Sequence, residues 1–221
     1  MAPRFQDRAD AGRQLARRLL HIKGEDPVVL ALPRGGVPVG HEVATALDAP
    51  LDLVLVRKIG APDQPELALG AVVDGDRPET VLNQDLVDAL GVTDDDIRAI
   101  ERRELAEIGR RRREYLGHRA PVPVAGRTAV VVDDGIATGA TMRAALRAIR
   151  RQKPKRLVLA VPVAPAEVVA RIKAEVDDFV CLMTPEPFYA IGIYYADFAQ
   201  LADADVTAIL GRYPSPQHGG A

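Results

Sequence analysis

The sequence predicts an α/β fold: an open, mostly parallel sheet flanked by helices, with a small insertion. Two observations carry this prediction. Short runs at 28–32, 51–56, 128–132, 157–161 and 179–183 are predominantly apolar on both faces, as suits strands covered on both sides. Helical stretches at 37–47, 140–152 and 165–175 alternate with them, the rhythm that produces parallel strands.

In chain order, residues 5–22 read as an amphipathic helix with Leu15, Leu19 and Ile22 on one face. The run 28–32 feeds the tight turn Pro33-Arg34-Gly35-Gly36, and the small-residue helix 37–47 follows. The second strand, 51–56, ends at Arg57 and Lys58. The stretch 60–69 contains two prolines and reads as a mobile loop. Apolar segments at 70–73 and 80–82 flank Asp74-Gly75-Asp76, which predicts a hairpin. Thr93 opens a long helix to about residue 116, with Asp94, Asp95 and Asp96 in its first turn and Arg110 to Arg113 near its end. Both charge blocks complement the helix dipole, and the arginines read as a solvated helix end. Ile97, Ile100, Leu105 and Ile108 supply the apolar stripe of this helix. Residues 1–213 read as one domain with 59–118 as an insertion of loop, hairpin and long helix, and 214–221 as a disordered tail.

Composition narrows the functional classes. The 221 residues are 48% hydrophobic and 27% charged, an ordinary globular balance able to bury a core without staples. A net charge of -2 provides no basic field to recruit nucleic acid, so no nucleic-acid partner is expected. The single cysteine, Cys181, excludes an intramolecular disulfide, reads as a small apolar residue in a strand and suits a reducing cytoplasm. No segment reaches the ~20 apolar residues of a membrane span, and the N-terminus lacks the pattern of a signal peptide. His21, His41, His118 and His218 show no metal-ligand spacing, and Gly-x-Ser-x-Gly is absent.

One motif carries chemistry. Val130-Val131-Val132 runs into Asp133-Asp134, then a small-residue loop with Thr138, Gly139 and Thr141, then a helix. In open α/β sheets ligands bind at the carboxyl ends of strands. Adjacent carboxylates there call for hydroxyls, a cation or water, and the loop amides and helix N-terminus suit a phosphate. Together they suit a phosphorylated sugar. Asp-Asp-Gly alone also fits a turn and helix cap. A Walker loop is absent, and the spacing of Gly135 and Gly139 does not match a dinucleotide fingerprint.

The run from Val130 to Thr141 resembles the signature of the type I phosphoribosyltransferases, which bind 5-phosphoribosyl-1-pyrophosphate (PRPP). The resemblance implies a core of that family's kind, with Asp133 and Asp134 on the ribose hydroxyls and Ala137, Thr138, Gly139, Ala140 and Thr141 around the 5-phosphate. It implies a pyrophosphate loop at Arg34, Gly35 and Gly36, and a basic residue, Lys58, near the pyrophosphate. It also implies Mg²⁺ held mainly by substrate oxygens, with Asp133 or Asp134 assisting directly or through water. The chain departs from the family at Gly135, where a β-branched residue is usual. It departs again in the lid region 59–83, which shows Asp63 and Glu66 but no Lys or Arg before Arg77.

A C-terminal hood at 184–213 is implied in the same way, with Phe188 and Tyr189 against the acceptor. Purine-salvage members have a lysine where this chain has Val176, which argues against a 6-oxopurine acceptor. The implied reaction joins a small-molecule acceptor, a nitrogenous base, to the phosphoribosyl group, catalysed by Asp133, Asp134, Arg34 and Lys58. The alternative is a non-catalytic PRPP-binding relative acting in regulation or nucleic-acid uptake. A cytoplasmic homodimer without membrane contacts is expected.

Overall fold

The computed structural model describes residues 4–62, 64–74 and 78–213. Its strands are β1 (Pro27–Ala31), β2 (Leu51–Leu53), β3 (Val56–Ala61), β4 (Gln64–Val73), β5 (Glu79–Leu82), β6 (Thr128–Val132), β7 (Arg156–Val163) and β8 (Asp178–Met183). Its α-helices are α1 (Arg8–Leu19), α2 (Gly36–Leu47), α3 (Gln84–Ala89), α4 (Asp94–Leu116), α5 (Ala140–Arg151), α6 (Ala166–Ile172) and α7 (Asp203–Leu210).

Five strands form a parallel sheet in the order β2-β1-β6-β7-β8, and β3-β4-β5 form a separate antiparallel sheet. The predicted open parallel fold with a small insertion is thus the observed one. The central strand β6 is buried at all five positions, as its valines require. Leu15, Leu19 and Ile22 pack as expected into the core on the α1 side of the sheet.

The register of β1 against β6 positions the site. Val29 pairs with Val130 and Ala31 with Val132, so both strands end at one level. Leu32 N–H still donates to the Val132 carbonyl at 3.0 Å. The turns that follow, 33–36 and 133–139, therefore leave the sheet side by side at its carboxyl edge.

Three expectations need correction. The second parallel strand stops at Leu53, and Arg57 and Lys58 lie on β3 in the other sheet. Residues 60–69, expected as a mobile loop, belong largely to the β3–β4 hairpin, with register shifts on either side of Gly60. Pro65 is compatible with β4 because β5 pairs only with Gly70–Val73, leaving that edge free of a ladder bond. The predicted hairpin pairing of 70–73 with 79–82 is present, while its turn at 75–77, Asp63, the Glu66 side chain and the tail 214–221 lie outside the described residues.

The third correction concerns Arg112, expected among solvated arginines. Arg110 and Arg111 do pair locally with Glu107 and Glu114. Arg112 instead reaches inward, donating to Asp74 at 2.7 Å and to both Asp52 oxygens at 3.1 and 3.2 Å. Four consecutive helical residues sweep about 300° of circumference, so one of them must face whatever the helix packs on. Asp52 lies on β2 and Asp74 follows β4, so this one guanidinium ties the parallel sheet to the insertion. Backbone N–H groups of Leu53 and Val122 also serve Asp52, and that of Leu55 serves Asp74. Helices α3 and α7 were not anticipated. Each is a short element of two turns or so, too brief to show periodicity.

Two predictions test this junction. Arg112→Ala leaves buried Asp74 without its cation and Asp52 with only the more distant Arg119, and should cost about 3–5 kcal/mol in urea unfolding. Asp74 is pushed up to about 6, chiefly by burial, against the pull of Arg112 and the Leu55 N–H. Between its ordinary value of 3.8 and about 6, the folded protein binds more protons at this site than the unfolded chain. Its stabilising contribution is therefore full below that window and is lost as pH rises through it, by roughly 3 kcal/mol. Urea midpoints from pH 4 to 7.5 should show wild type losing stability relative to Asp74→Asn as pH rises; parallel curves would refute the assignment.

Candidate active site

Asp133 and Asp134 emerge from the buried end of β6, Asp133 half-buried and Asp134 only 8% exposed. The Asp134 N–H donates to Asp133 Oδ1 at 2.8 Å. Burial pushes both carboxyls up: for Asp133 the charge of Asp134 adds to the shift, and for Asp134 the hydrogen bond and charge of Arg8 oppose it. A carboxylate pair so shielded gains from any cation or hydroxyl brought to it.

The turn after β1 presses directly on this pair. A Cβ on Gly35 would overlap Asp134 Oδ2, and one on Gly36 would lie 2.8 Å from the Val132 carbonyl. Gly35 has an ordinary helical φ of -59°, so close approach, not backbone freedom, demands glycine. The Gly36 N–H donates to the Leu32 carbonyl at 3.0 Å and so closes the turn.

The residues expected around a phosphate form the turn into α5. Gly139 takes a left-handed φ of 81° and opens α5, whose N-terminus has no side-chain cap. Ala137, Thr138, Ala140 and Thr141 lie beside it, all four exposed. The first-turn N–H groups of such a helix lack intrahelical partners and favour an anion. Lys58, Ala140 and Thr141 line one cavity of about 590 Å³, which brings the insertion sheet to the start of α5.

Gly135 departs from the usual family residue for a local reason. A Cβ there would meet Ile191 at 2.7 Å and Val163 at 3.0 Å. The hood residue Ile191 occupies the room that a β-branched side chain would need.

Four contributors escaped the sequence reading. Arg8 Nε meets Asp134 Oδ2 at 2.8 Å across a sequence separation of 126 residues. The Tyr195 hydroxyl donates to the Asp134 carbonyl at 2.5 Å, and burial, with the nearby Asp134 charge, pushes that hydroxyl's pKa up. The Phe198 ring lies 3.8 Å under the Arg8 guanidinium. Asp203 stands 3.7 Å from Arg34 Nη1 and accepts from the Tyr115 hydroxyl at 2.5 Å. Burial, with that Asp203 bond, pushes Tyr115 up to about 12. No local pattern announces contacts between segments this far apart.

The hood aromatics are less tightly placed. Phe188 stacks on Tyr194 with centroids 5.6 Å apart, and Tyr189 is 77% exposed. Val176 occupies a different place from the one expected. Asp177 N–H bonds the Leu157 carbonyl, and Leu157 pairs with Ala129, four residues before Asp133. Val176 therefore lies at the amino edge of the sheet, roughly 16 Å along the strands from the acidic pair. A lysine there would stand at the wrong edge, so its absence says nothing about the acceptor.

The phosphoribosyl transferase domain family matches residues 5–191. The chain belongs to that family. Proteins named "putative phosphoribosyl transferase" from Mycobacterium tuberculosis strains CDC 1551 and H37Rv are each 49% identical over 208 residues. The match covers 94% of this chain and 46% of each of theirs, so the chain spans about half the length of these relatives. The crystal structure of TT1426 from Thermus thermophilus is 45% identical with a TM-score of 0.83, covering 95% of this chain and 99% of that one. The segment after residue 191, which contains Tyr194, Tyr195, Phe198 and Asp203, lies beyond the family match.

The packing at Gly135 gives a stability test. Gly135→Val should destabilise by about 1–3 kcal/mol through overpacking. Adding Ile191→Ala should return part of that loss in thermal unfolding, whereas purely additive losses would show that the two residues do not compete for space.

Proposed function

We propose that this phosphoribosyltransferase-family chain transfers the phosphoribosyl group of PRPP to a nitrogenous small-molecule acceptor and releases pyrophosphate. The observation that carries the proposal is the juxtaposition at one sheet edge of a shielded carboxylate pair with the uncapped N-terminus of α5. A ligand answering both must carry hydroxyls or a cation at one end and a phosphate a few ångströms away.

In this reading Ala137 to Thr141 and the first turn of α5 hold the 5-phosphate. Asp133 and Asp134 serve the ribose hydroxyls, and Arg34 and Lys58 serve the pyrophosphate. Arg34 is 40% exposed and its pairing with Asp203 is long, so exchanging that carboxylate for phosphate oxygens costs little. The C1–oxygen bond to pyrophosphate breaks as the acceptor nitrogen bonds to C1, through a transition state with positive charge on the ring, as in other glycosyl transfers. Negative charge grows on the leaving group, where Arg34 and Lys58 oppose it. The acidic pair lies near the ring and favours its developing positive charge. Phe188 and Tyr189 offer the acceptor aromatic surface, Tyr189 being the more open.

Among the described residues no group of three or more His, Cys, Asp or Glu side chains could hold a metal ion. Two carboxylates suit Mg²⁺ of the kind that arrives on substrate phosphates and keeps several waters. Asp133 or Asp134 would touch it directly or through water, and when bound it would neutralise phosphate charge. Among the described residues no helix is long and apolar enough to cross a membrane.

Calorimetry with PRPP and Mg²⁺ tests the donor half. Wild type should bind, and Asp133→Asn with Asp134→Asn should weaken binding at least ~100-fold, consistent with loss of charged hydrogen bonds. Arg34→Ala should lower kcat by roughly 10²–10³ when pyrophosphate release is followed against a panel of bases. Tight PRPP binding with no turnover on any base would favour the regulatory alternative, and no binding would exclude both.

A further inference from the structure

We propose that Arg8 is a positioning residue of the donor site: it clamps the Asp134 carboxylate against the Gly35 turn and so orients that carboxylate for the sugar. The second half rests on the PRPP reading; the clamp itself does not.

The Asp134 side chain is held from two sides. Arg8 Nε lies 2.8 Å from Oδ2, with the two side chains only 12% and 11% exposed. The Gly35 Cα packs so closely that even a methyl group there would overlap the same oxygen. The main chain of Asp134 is fixed as well, its carbonyl by Tyr195 and its N–H by Asp133 Oδ1. With Oδ2 held in this way, the direction of the second carboxylate oxygen is set as well.

Arg8 is itself pre-oriented. Its guanidinium rests on the Phe198 ring at 3.8 Å, and Nη1 donates to the Ala199 carbonyl at 2.9 Å. Both partners come from the segment beyond the family match. Arg8 opens α1, so the first helical turn and the C-terminal segment meet on the second aspartate. Arginine suits this post because its planar fork can stack on a ring, donate to a carboxylate and donate to a carbonyl at once, which an ammonium cannot do in the same plane.

Two measurements on the full chain test the proposal. Hydrogen–deuterium exchange over 133–139 needs no ligand: Arg8→Ala should speed exchange there, with Arg8→Lys intermediate and Phe198→Leu showing a smaller effect in the same direction. Calorimetry with PRPP and Mg²⁺ should show Arg8→Ala weakening binding about 10–100-fold, as loss of residues that orient ligands does at other sites. Arg8→Lys should recover part of that loss. Arg8→Ala combined with Asp134→Asn should lose no more than Asp134→Asn alone, because the arginine acts through that aspartate. Wild-type affinity in folded Arg8→Ala, or a further loss from Arg8→Ala in the Asp134→Asn background, would overturn the proposal. If wild type fails to bind PRPP, the phosphoribosyl reading falls and exchange alone decides the clamp: faster exchange in Arg8→Ala supports it, and unchanged exchange refutes it.

Discussion

The carboxylate of Asp134 is the point on which the site depends. It stands beside a second carboxylate at the shielded end of a central strand, where like charges are costly without a cation. The fold meets that cost by bringing remote segments to one residue. Arg8 supplies charge, the Gly35 turn supplies a surface on which the side chain packs, and Tyr195 fixes the main chain. The in-register pairing of β1 with β6 makes this possible, because it releases both turns at the same level.

A second arginine solves a related problem elsewhere. Arg112 sits between Asp52 and Asp74 and so joins the parallel sheet to the antiparallel insertion. The insertion bears Lys58, and the same cavity that Lys58 lines is bordered by Ala140 and Thr141. A charge junction buried under the insertion thus helps set where a candidate pyrophosphate-binding side chain stands relative to the phosphate loop. Both arginines come from helices added to the strand–turn core, one before it and one inside the insertion.

The two halves of the proposed reaction have unequal support. The donor half rests on a motif whose parts converge in space. The acceptor half rests on Phe188 and Tyr189, one stacked within the hood and the other open to solvent. The position of Val176 at the far edge of the sheet removes the one sequence argument against a 6-oxopurine. Because the chain spans about half of its mycobacterial relatives, the acceptor question belongs to a unit that in those proteins is joined to more chain.

Much of the fold was legible in the sequence because its strands are buried on both faces. Continuous apolar runs such as 128–132 have no other stable placement in a chain of this size, and the turns at 33–36 and 133–139 follow directly from them. The acidic pair and phosphate loop were legible for the same reason: each contiguous motif supplies its own geometry. Tertiary structure alone decided which arginine of the run 110–113 turns inward, that 60–69 pairs as strands, that Gly135 yields space to Ile191, and that Arg8 and the C-terminal segment close on Asp134. Each of those outcomes depends on a partner outside the local motif, most of them tens of residues away, and a hydrogen bond or steric contact across that distance leaves no periodic trace in the chain.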